Sequence, residues 1–333
     1  MTQYAAERGG RSGSAAQAAA SAQRATGAGR AARAGLAGVG LVVLAGLLAA
    51  GCEGKRRRQR APNVELPVER LEPAVASSLT AREAAPPPKL SELVDGGRYW
   101  RLPTPKGPIH VWTPRGYNAR RANTVVYVHG YYTHVDAAWK EHRLPSQFAA
   151  SALNAMFVAC EAPAGFGEAV AWDSIAELLE MVEAGTGEAA PRRRIVAVGH
   201  SGAYRTLLGW LDEPVLDTVV LLDAAYGEVE SYWSWVLGSP RRRLIDVGDD
   251  TRQWTEQLHA GLPKTVVLDG FPAVEDEIPR AAARAKILYI RSSIGHFPLV
   301  TGGVALPMVL RTLSRRRLLD VPLADLVDGP AEP

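Results

Sequence analysis

Ser201 is the residue of this chain best placed for covalent chemistry. It stands in RIVAVGHSGAYR, Arg194 to Arg205: a short apolar run (Ile195 to Val198), then Gly199-His200-Ser201-Gly202-Ala203, then a helix-like stretch from Tyr204 to Leu211. A sharp strand-to-helix turn with serine at its tip holds the hydroxyl exposed at the end of a sheet. Gly199 and Ala203 are small where strand and helix close on each other, and Gly202 lets the backbone turn tightly. A neutral serine hydroxyl is a poor nucleophile. It needs a base within hydrogen-bond reach, and the base needs an acid that fixes its tautomer and stabilises the imidazolium.

In open α/β sheets the active residues gather at the carboxyl ends of strands. Four expected strand ends carry distinctive residues: His129-Gly130, Ser201, Asp223 and His296. Of the 7 histidines, His296 is the best-placed base, in a loop beyond the last expected strand (Lys286 to Arg291). His134, also in a strand-end loop, is its competitor. His200 is held beside the serine and packs sideways, while His110, His142 and His259 fall in strand or helix patterns as surface or packing residues. For the acid, Asp223 directly ends the strand neighbouring the one that leads to Ser201. Asp249 or Asp250 ends the next, and Asp269 is a third choice. Asp223 is favoured, because Asp249 lies in a Gly-Asp-Asp-Thr string that also reads as a turn and helix cap.

The turn around Ser201 resembles the nucleophile elbow of the α/β-hydrolase fold, G-x-S-x-G, with Ala203 in place of the last glycine. The resemblance covers about Gly97 to Leu319. It implies the chain order Ser, Asp, His and a base just past the last strand, which His296 meets. Some lipases of the family carry the acid where Asp223 stands, while the commoner position is that of Asp249 or Asp250. The turn His129-Gly130-Tyr131 is similar to the family's HG-x motif, so the backbone N–H groups of Gly202 and Tyr131 are the expected oxyanion donors. The activity implied is that of a serine hydrolase cleaving a small-molecule ester, or an amide, through an acyl-serine intermediate. The alternatives are a non-catalytic envelope binding protein on the same fold and an envelope peptidase or amidase. A short lid spans Asp223 to Arg241, where Tyr226, Tyr232, Trp233 and Trp235 either grip substrate or pack the lid helix. No metal-ligand spacing or phosphate-cradling loop implies a cofactor.

The elements that must position these residues alternate along the chain. Strands are expected at Arg98 to Leu102, Ile109 to Trp112, Asn123 to Val128, Met156 to Cys160, Ile195 to Val198, Val215 to Leu222, Arg243 to Val247 and Lys286 to Arg291, with Thr265 to Leu268 ambiguous. Helices are expected at Ala137 to Ala152 (broken by Pro145), Val170 to Ala184, Tyr204 to Leu211, Glu228 to Leu237, Arg252 to Leu262, Ala281 to Ala285 and Val304 to Leu313. Apolar strands alternating with amphipathic helices predict an α/β fold with a mainly parallel central sheet covered on both faces. The chain has 333 residues, 47% of them hydrophobic, and a formal net charge of +3, enough for one sizeable core. Its basic triplets, Arg192 to Arg194, Arg241 to Arg243 and Arg315 to Arg317, are not interleaved with aromatics, which argues against a nucleic-acid partner. With 2 cysteines there is no disulfide framework.

Residues 1–52 read as a leader: a low-complexity stretch, then the apolar segment Leu36 to Gly51, shorter than a span of about twenty residues. Small residues before Cys52 resemble the bacterial lipobox, which implies lipidation of Cys52, a lipid anchor in the membrane and a cell-envelope location. The basic run Lys55 to Arg60 favours the rival arrangement, a membrane anchor with a cytoplasmic domain. Residues 53–95, with Pro62, Pro67, Pro73 and Pro86 to Pro88, read as an extended linker, 96–320 as the hydrolase domain and 321–333 as a tail.

Overall fold

The computed structural model describes residues 92–313 except Glu275. The leader with Cys52, most of the linker, the run Arg315 to Arg317 and the tail lie outside the described residues. Among the described residues, ten strands form one sheet in the order β1-β2-β3-β5-β4-β6-β7-β8-β10-β9. They are β1 (Glu92–Val94), β2 (Gly97–Leu102), β3 (Ile109–Thr113), β4 (Asn123–Val128), β5 (Ala155–Cys160), β6 (Ile195–His200), β7 (Leu216–Leu222), β8 (Arg243–Gly248), β9 (Val266–Leu268) and β10 (Ile287–Arg291). From β5 to β9 every neighbouring pair is parallel, and β1, β2 and β3 extend the sheet as an antiparallel edge joined to β5. This is the mainly parallel α/β architecture expected from the sequence.

Strands β4, β5 and β6 are buried along their whole length, because helices cover both faces. Alternate residues divide between two cores. Val126, Val128, Met156, Val158 and Ala197 pack with helices α3 (Ile175–Thr186), α4 (Tyr204–Trp210) and α5 (Val229–Leu237). Val125, Tyr127, Phe157 and Val198 pack with α1 (Val135–Glu141), α2 (Leu144–Ser151) and α9 (Ala305–Arg311) on the other face. Between them in the chain lie α6 (Arg252–Ala260), α7 (Arg280–Ala283) and α8 (Pro298–Thr301).

The chain runs from β4 outward to β5, then returns across β4 to form β6 on its other side. The reversal opens a crevice at the carboxyl ends of β4 and β6, the place where such sheets bind ligands. His129-Gly130-Tyr131 leaves β4 there and Ser201 leaves β6.

Two local expectations are corrected. The helix expected over Ala137 to Ala152 is two helices, separated at His142 and Arg143, with Arg143 in a left-handed conformation at φ 47°. Pro145 sits in the first turn of α2, where its missing N–H costs nothing; it begins a helix and does not interrupt one. The helix expected from Val170 starts at Ile175, because the Ser174 side chain accepts from the Glu177 N–H and caps it there. Among the described residues no helix is long and apolar enough to cross a membrane.

Burial holds the His110 and His142 imidazoles down at about 4 and His200 at about 3. In the unfolded chain the same groups take up protons below about 6.5, so there the unfolded state binds more protons than the folded one. Stability is therefore expected to fall as pH drops from about 6.5 towards 4, by roughly 1.4 kcal/mol per pH unit for each proton so withheld. Urea midpoints measured across this range check it; a flat profile contradicts the buried neutral assignment.

Candidate active site

The Ser201 turn is built from side chains that are not there. A methyl on Gly199 would come within 2.4 Å of Leu207 Cδ1 and 3.0 Å of Ala203 Cβ, so strand β6 and helix α4 close on each other only because Gly199 is bare. The same contact shows why the departure at Ala203 is tolerated: one methyl fits between the two backbones, and two do not. Ser201 itself is left-handed at φ 52°, a conformation that costs a non-glycine residue about 1–2 kcal/mol and that the surrounding packing must impose.

The last strand brings in the imidazole. His296 lies against His200, ring centroids 4.5 Å apart, and the buried His200 donates from Nε2 to the His296 carbonyl at 3.0 Å. His200 thus packs sideways, as expected, and anchors the His296 loop beside the residue that precedes Ser201. His296 Nδ1 meets Asp223 Oδ2 at 2.6 Å. Asp223 is fully buried at the end of β7 and left-handed at φ 50°. Its carboxylate accepts four further hydrogen bonds, from the backbone N–H groups of Asp249, Asp250 and Thr251 and from Thr251 Oγ1, at 2.7–3.2 Å. Burial alone would raise this carboxyl; His296 and these donors outweigh it and hold Asp223 well below the usual carboxylate range.

The other acid candidates are less well placed. Asp249 lends Asp223 its backbone N–H while its own carboxylate is 4.0 Å from Arg252. Asp250 Oδ2 is 3.9 Å from His296 Nδ1, and Asp269 pairs with Arg291 at 2.8 Å. His134 accepts from the Ala137 N–H and caps α1. Asp223, Asp250 and His296 also form a group whose ligand-capable atoms lie within 4.8 Å of one another. A cation there would have to displace donors that already satisfy Asp223, so this donor set fits an acid that orients an imidazole better than a metal ligand.

Opposite the imidazole, the turn after β4 packs directly on the serine turn. A methyl on Gly130 would lie 2.8 Å from Ser201 Cβ, and one on Gly202 would lie 2.4 Å from the Tyr131 ring. Among the described residues, neither the Tyr131 nor the Gly202 backbone N–H donates to a backbone acceptor. Burial pushes the Tyr226 phenol up to about 12, and the neighbouring Ser201 side chain works against that shift. The Tyr226 ring sits tilted between those of Tyr204 and Trp254, with centroids 5.5 and 5.4 Å away. Of the other lid aromatics, Tyr232 and Trp235 are buried in the core and Trp233 donates to the Leu258 carbonyl, so only Tyr226 reaches the site. Three exposed rings rim the crevice: Phe166, 4.8 Å from Tyr131; Tyr132, next to it; and Phe297, 5.2 Å from His296.

No protein-family model matches the chain, and no curated protein matches it. Solved structures do resemble its fold. A mutant of the feruloyl esterase module from Clostridium thermocellum, complexed with sinapinate, aligns with 13% identity and a TM-score of 0.46, covering 67% of this chain and 91% of that one. A fluorophosphonate-binding serine hydrolase of Staphylococcus aureus aligns with 12% identity and a TM-score of 0.44, covering 64% and 97%. A thermostable carboxylesterase cloned from a metagenomic library aligns with 12% identity and a TM-score of 0.41, covering 66% and 88%. At these identities the likeness speaks of overall shape. The chemistry has to be argued from the residues.

Sequence reasoning missed two features of the site. Tyr226 was one of four lid aromatics that no pattern separated, and only its position three residues after Asp223 could have singled it out. Glu161, the first residue after β5, pairs with His129 at 2.7 Å. It too ends a strand, which was the available signal.

The packing at Gly199 makes a quantitative expectation. Gly199→Ala should destabilise the fold by about 1–3 kcal/mol, as overpacked cores do. Adding Ala203→Gly should recover part of the loss, read as the difference in urea midpoint between single and double variants.

Proposed function

We propose that the chain is a serine hydrolase that cleaves an ester bond, with Ser201 as nucleophile, His296 as general base and acid, and Asp223 as the acid that orients His296. The observation that carries this reading is the 2.6 Å contact between His296 Nδ1 and a buried, fully hydrogen-bonded Asp223, in a loop packed against the Ser201 turn. With Nδ1 committed to Asp223, the lone pair of Nε2 is free to take a proton.

In acylation, Oγ of Ser201 bonds to the substrate carbonyl carbon while its proton passes to His296 Nε2. The carbonyl oxygen becomes an oxyanion facing the N–H groups of Tyr131 and Gly202. Collapse breaks the bond to the alcohol, which leaves with the His296 proton. In deacylation a water gives its proton to His296 and attacks the acyl carbon. The bond to Oγ then breaks, the proton returns to Oγ and the carboxylic acid is released. Phe166, Tyr132 and Phe297 at the rim support a substrate with an apolar acyl or alcohol portion.

Ser201→Ala should abolish labelling of the full chain by a fluorophosphonate probe; equal labelling of variant and parent removes Ser201 from its role. Asp223→Asn should lower kcat by about 10⁴-fold by mis-setting the His296 tautomer. Chromogenic esters of graded chain length, run beside peptide amides, decide between esterase and amidase.

The location is a separate proposal and rests on the leader alone. Cys52, behind a short apolar core, would carry lipid and tether the enzyme to the cell envelope, and radioactive palmitate should label the parent and not Cys52→Ala. Palmitate in both, or in neither, would favour the rival membrane anchor.

A further inference from the structure

A second imidazole–carboxylate pair stands on the opposite side of the serine turn. His129, at the end of β4, is fully buried. Its Nδ1 lies 2.7 Å from the Gly130 carbonyl oxygen, and its Nε2 accepts from the Ala162 backbone N–H at 3.0 Å and lies 2.7 Å from Glu161 Oε1. Glu161, at the end of β5, accepts from the Val135 N–H at the start of α1, at 3.2 Å.

The geometry fixes the roles. A carbonyl oxygen only accepts, so Nδ1 is the donor to Gly130. Nε2 is then the acceptor, which is what the Ala162 N–H donating to it at 3.0 Å requires, and Glu161 Oε1 closes on the same edge of the ring. The Ala162 N–H and Glu161, both just past the end of β5, therefore keep the ring in place with its Nδ1 proton aimed at Gly130.

That hydrogen bond has a consequence one bond further on. The Gly130 carbonyl and the Tyr131 N–H belong to the same peptide unit, which is planar and trans, so they point in opposite directions. Anchoring the carbonyl to His129 turns the Tyr131 N–H away from His129, into the space the serine turn borders. We infer that His129 and Glu161 are positioning residues: their pair aims the Tyr131 N–H at the oxyanion of the reaction proposed above, on which this inference rests. Oxyanion donors act by being fixed before charge develops, so a peptide free to rotate would lose most of its effect.

The test uses the purified full chain with a chromogenic ester. Glu161→Ala and His129→Leu should lower kcat about 10-fold to 100-fold, within the range for a weakened oxyanion donor, with KM changed less than about two-fold. The affinity for a trifluoromethyl ketone, which forms an oxyanion on Ser201, should fall in parallel with kcat. Glu161→Gln, whose amide can donate to Nε2, and His129→Asn, whose amide can replace the Nδ1 donor, should recover most of the rate. The rescue pair also carries the test if Glu161→Ala does not fold: Glu161→Gln or His129→Asn as slow as His129→Leu overturns the inference. So does a parental kcat in Glu161→Ala, or a loss of kcat with unchanged ketone affinity. A parent that no fluorophosphonate labels removes the serine reaction and this inference together; a labelled parent with indifferent variants removes this inference alone.

Discussion

The buried carboxylate of Asp223 is the constraint around which the rest of this site is arranged. A charge removed from water costs several kcal/mol unless nearly every lone pair finds a donor. Asp223 finds five, and they come from two separate segments: the turn between β8 and α6, and His296 beyond β10. Satisfying one carboxylate therefore draws the loops after three strands together. The strand order makes this possible, because β7, β8 and β10 are consecutive neighbours in the sheet. Burial pushes the Asp246 carboxyl up despite its contact with His259, and the Asp223 charge adds to the effect.

The same device recurs on the other side of Ser201. There a carboxylate from the end of β5 holds an imidazole from the end of β4, and that imidazole holds a peptide carbonyl. The serine turn is thus flanked by two imidazole–carboxylate pairs with different geometry. In one, that of the proposed base, the ring keeps a nitrogen for the proton transfer proposed above; in the other both nitrogens are occupied by the protein. The distinction is one of access. His296 is partly exposed at the crevice, and His129 is sealed.

Much of this was legible in the sequence, and the reason is local. A strand that is buried on both faces reads as an unbroken apolar run, so β4, β5, β6, β7 and β10 were found within a residue or two. The serine turn was legible because its small residues are demanded by contacts only a few positions away, such as Gly199 with Leu207. What could not be read depended on distant partners. Asp223 is favoured over Asp249 in the sequence only because Asp249 also reads as a turn and cap; both end strands, and it is Asp223 that the His296 ring meets. Tyr226 and Tyr232 look alike in the lid; one reaches Ser201 and the other is buried in the core. Glu161 reads as an ordinary loop residue until β4 and β5 are seen side by side. The break at Arg143 escaped because the proline beside it looked like the breaker.

Ser201 and Asp223 are both left-handed non-glycine residues, and both sit at the first position after a buried parallel strand. At about 1–2 kcal/mol each, such conformations relax unless their neighbours forbid it. Here the neighbours do: Gly130 and Tyr131 press on the serine turn, and the Thr251 hydroxyl and three backbone donors grip Asp223. The sheet supplies the rigidity against which that strain is held. Held this way, the proposed nucleophile and its acid have little rearranging to do when charge develops, and that absence of rearrangement is the physical basis of electrostatic catalysis.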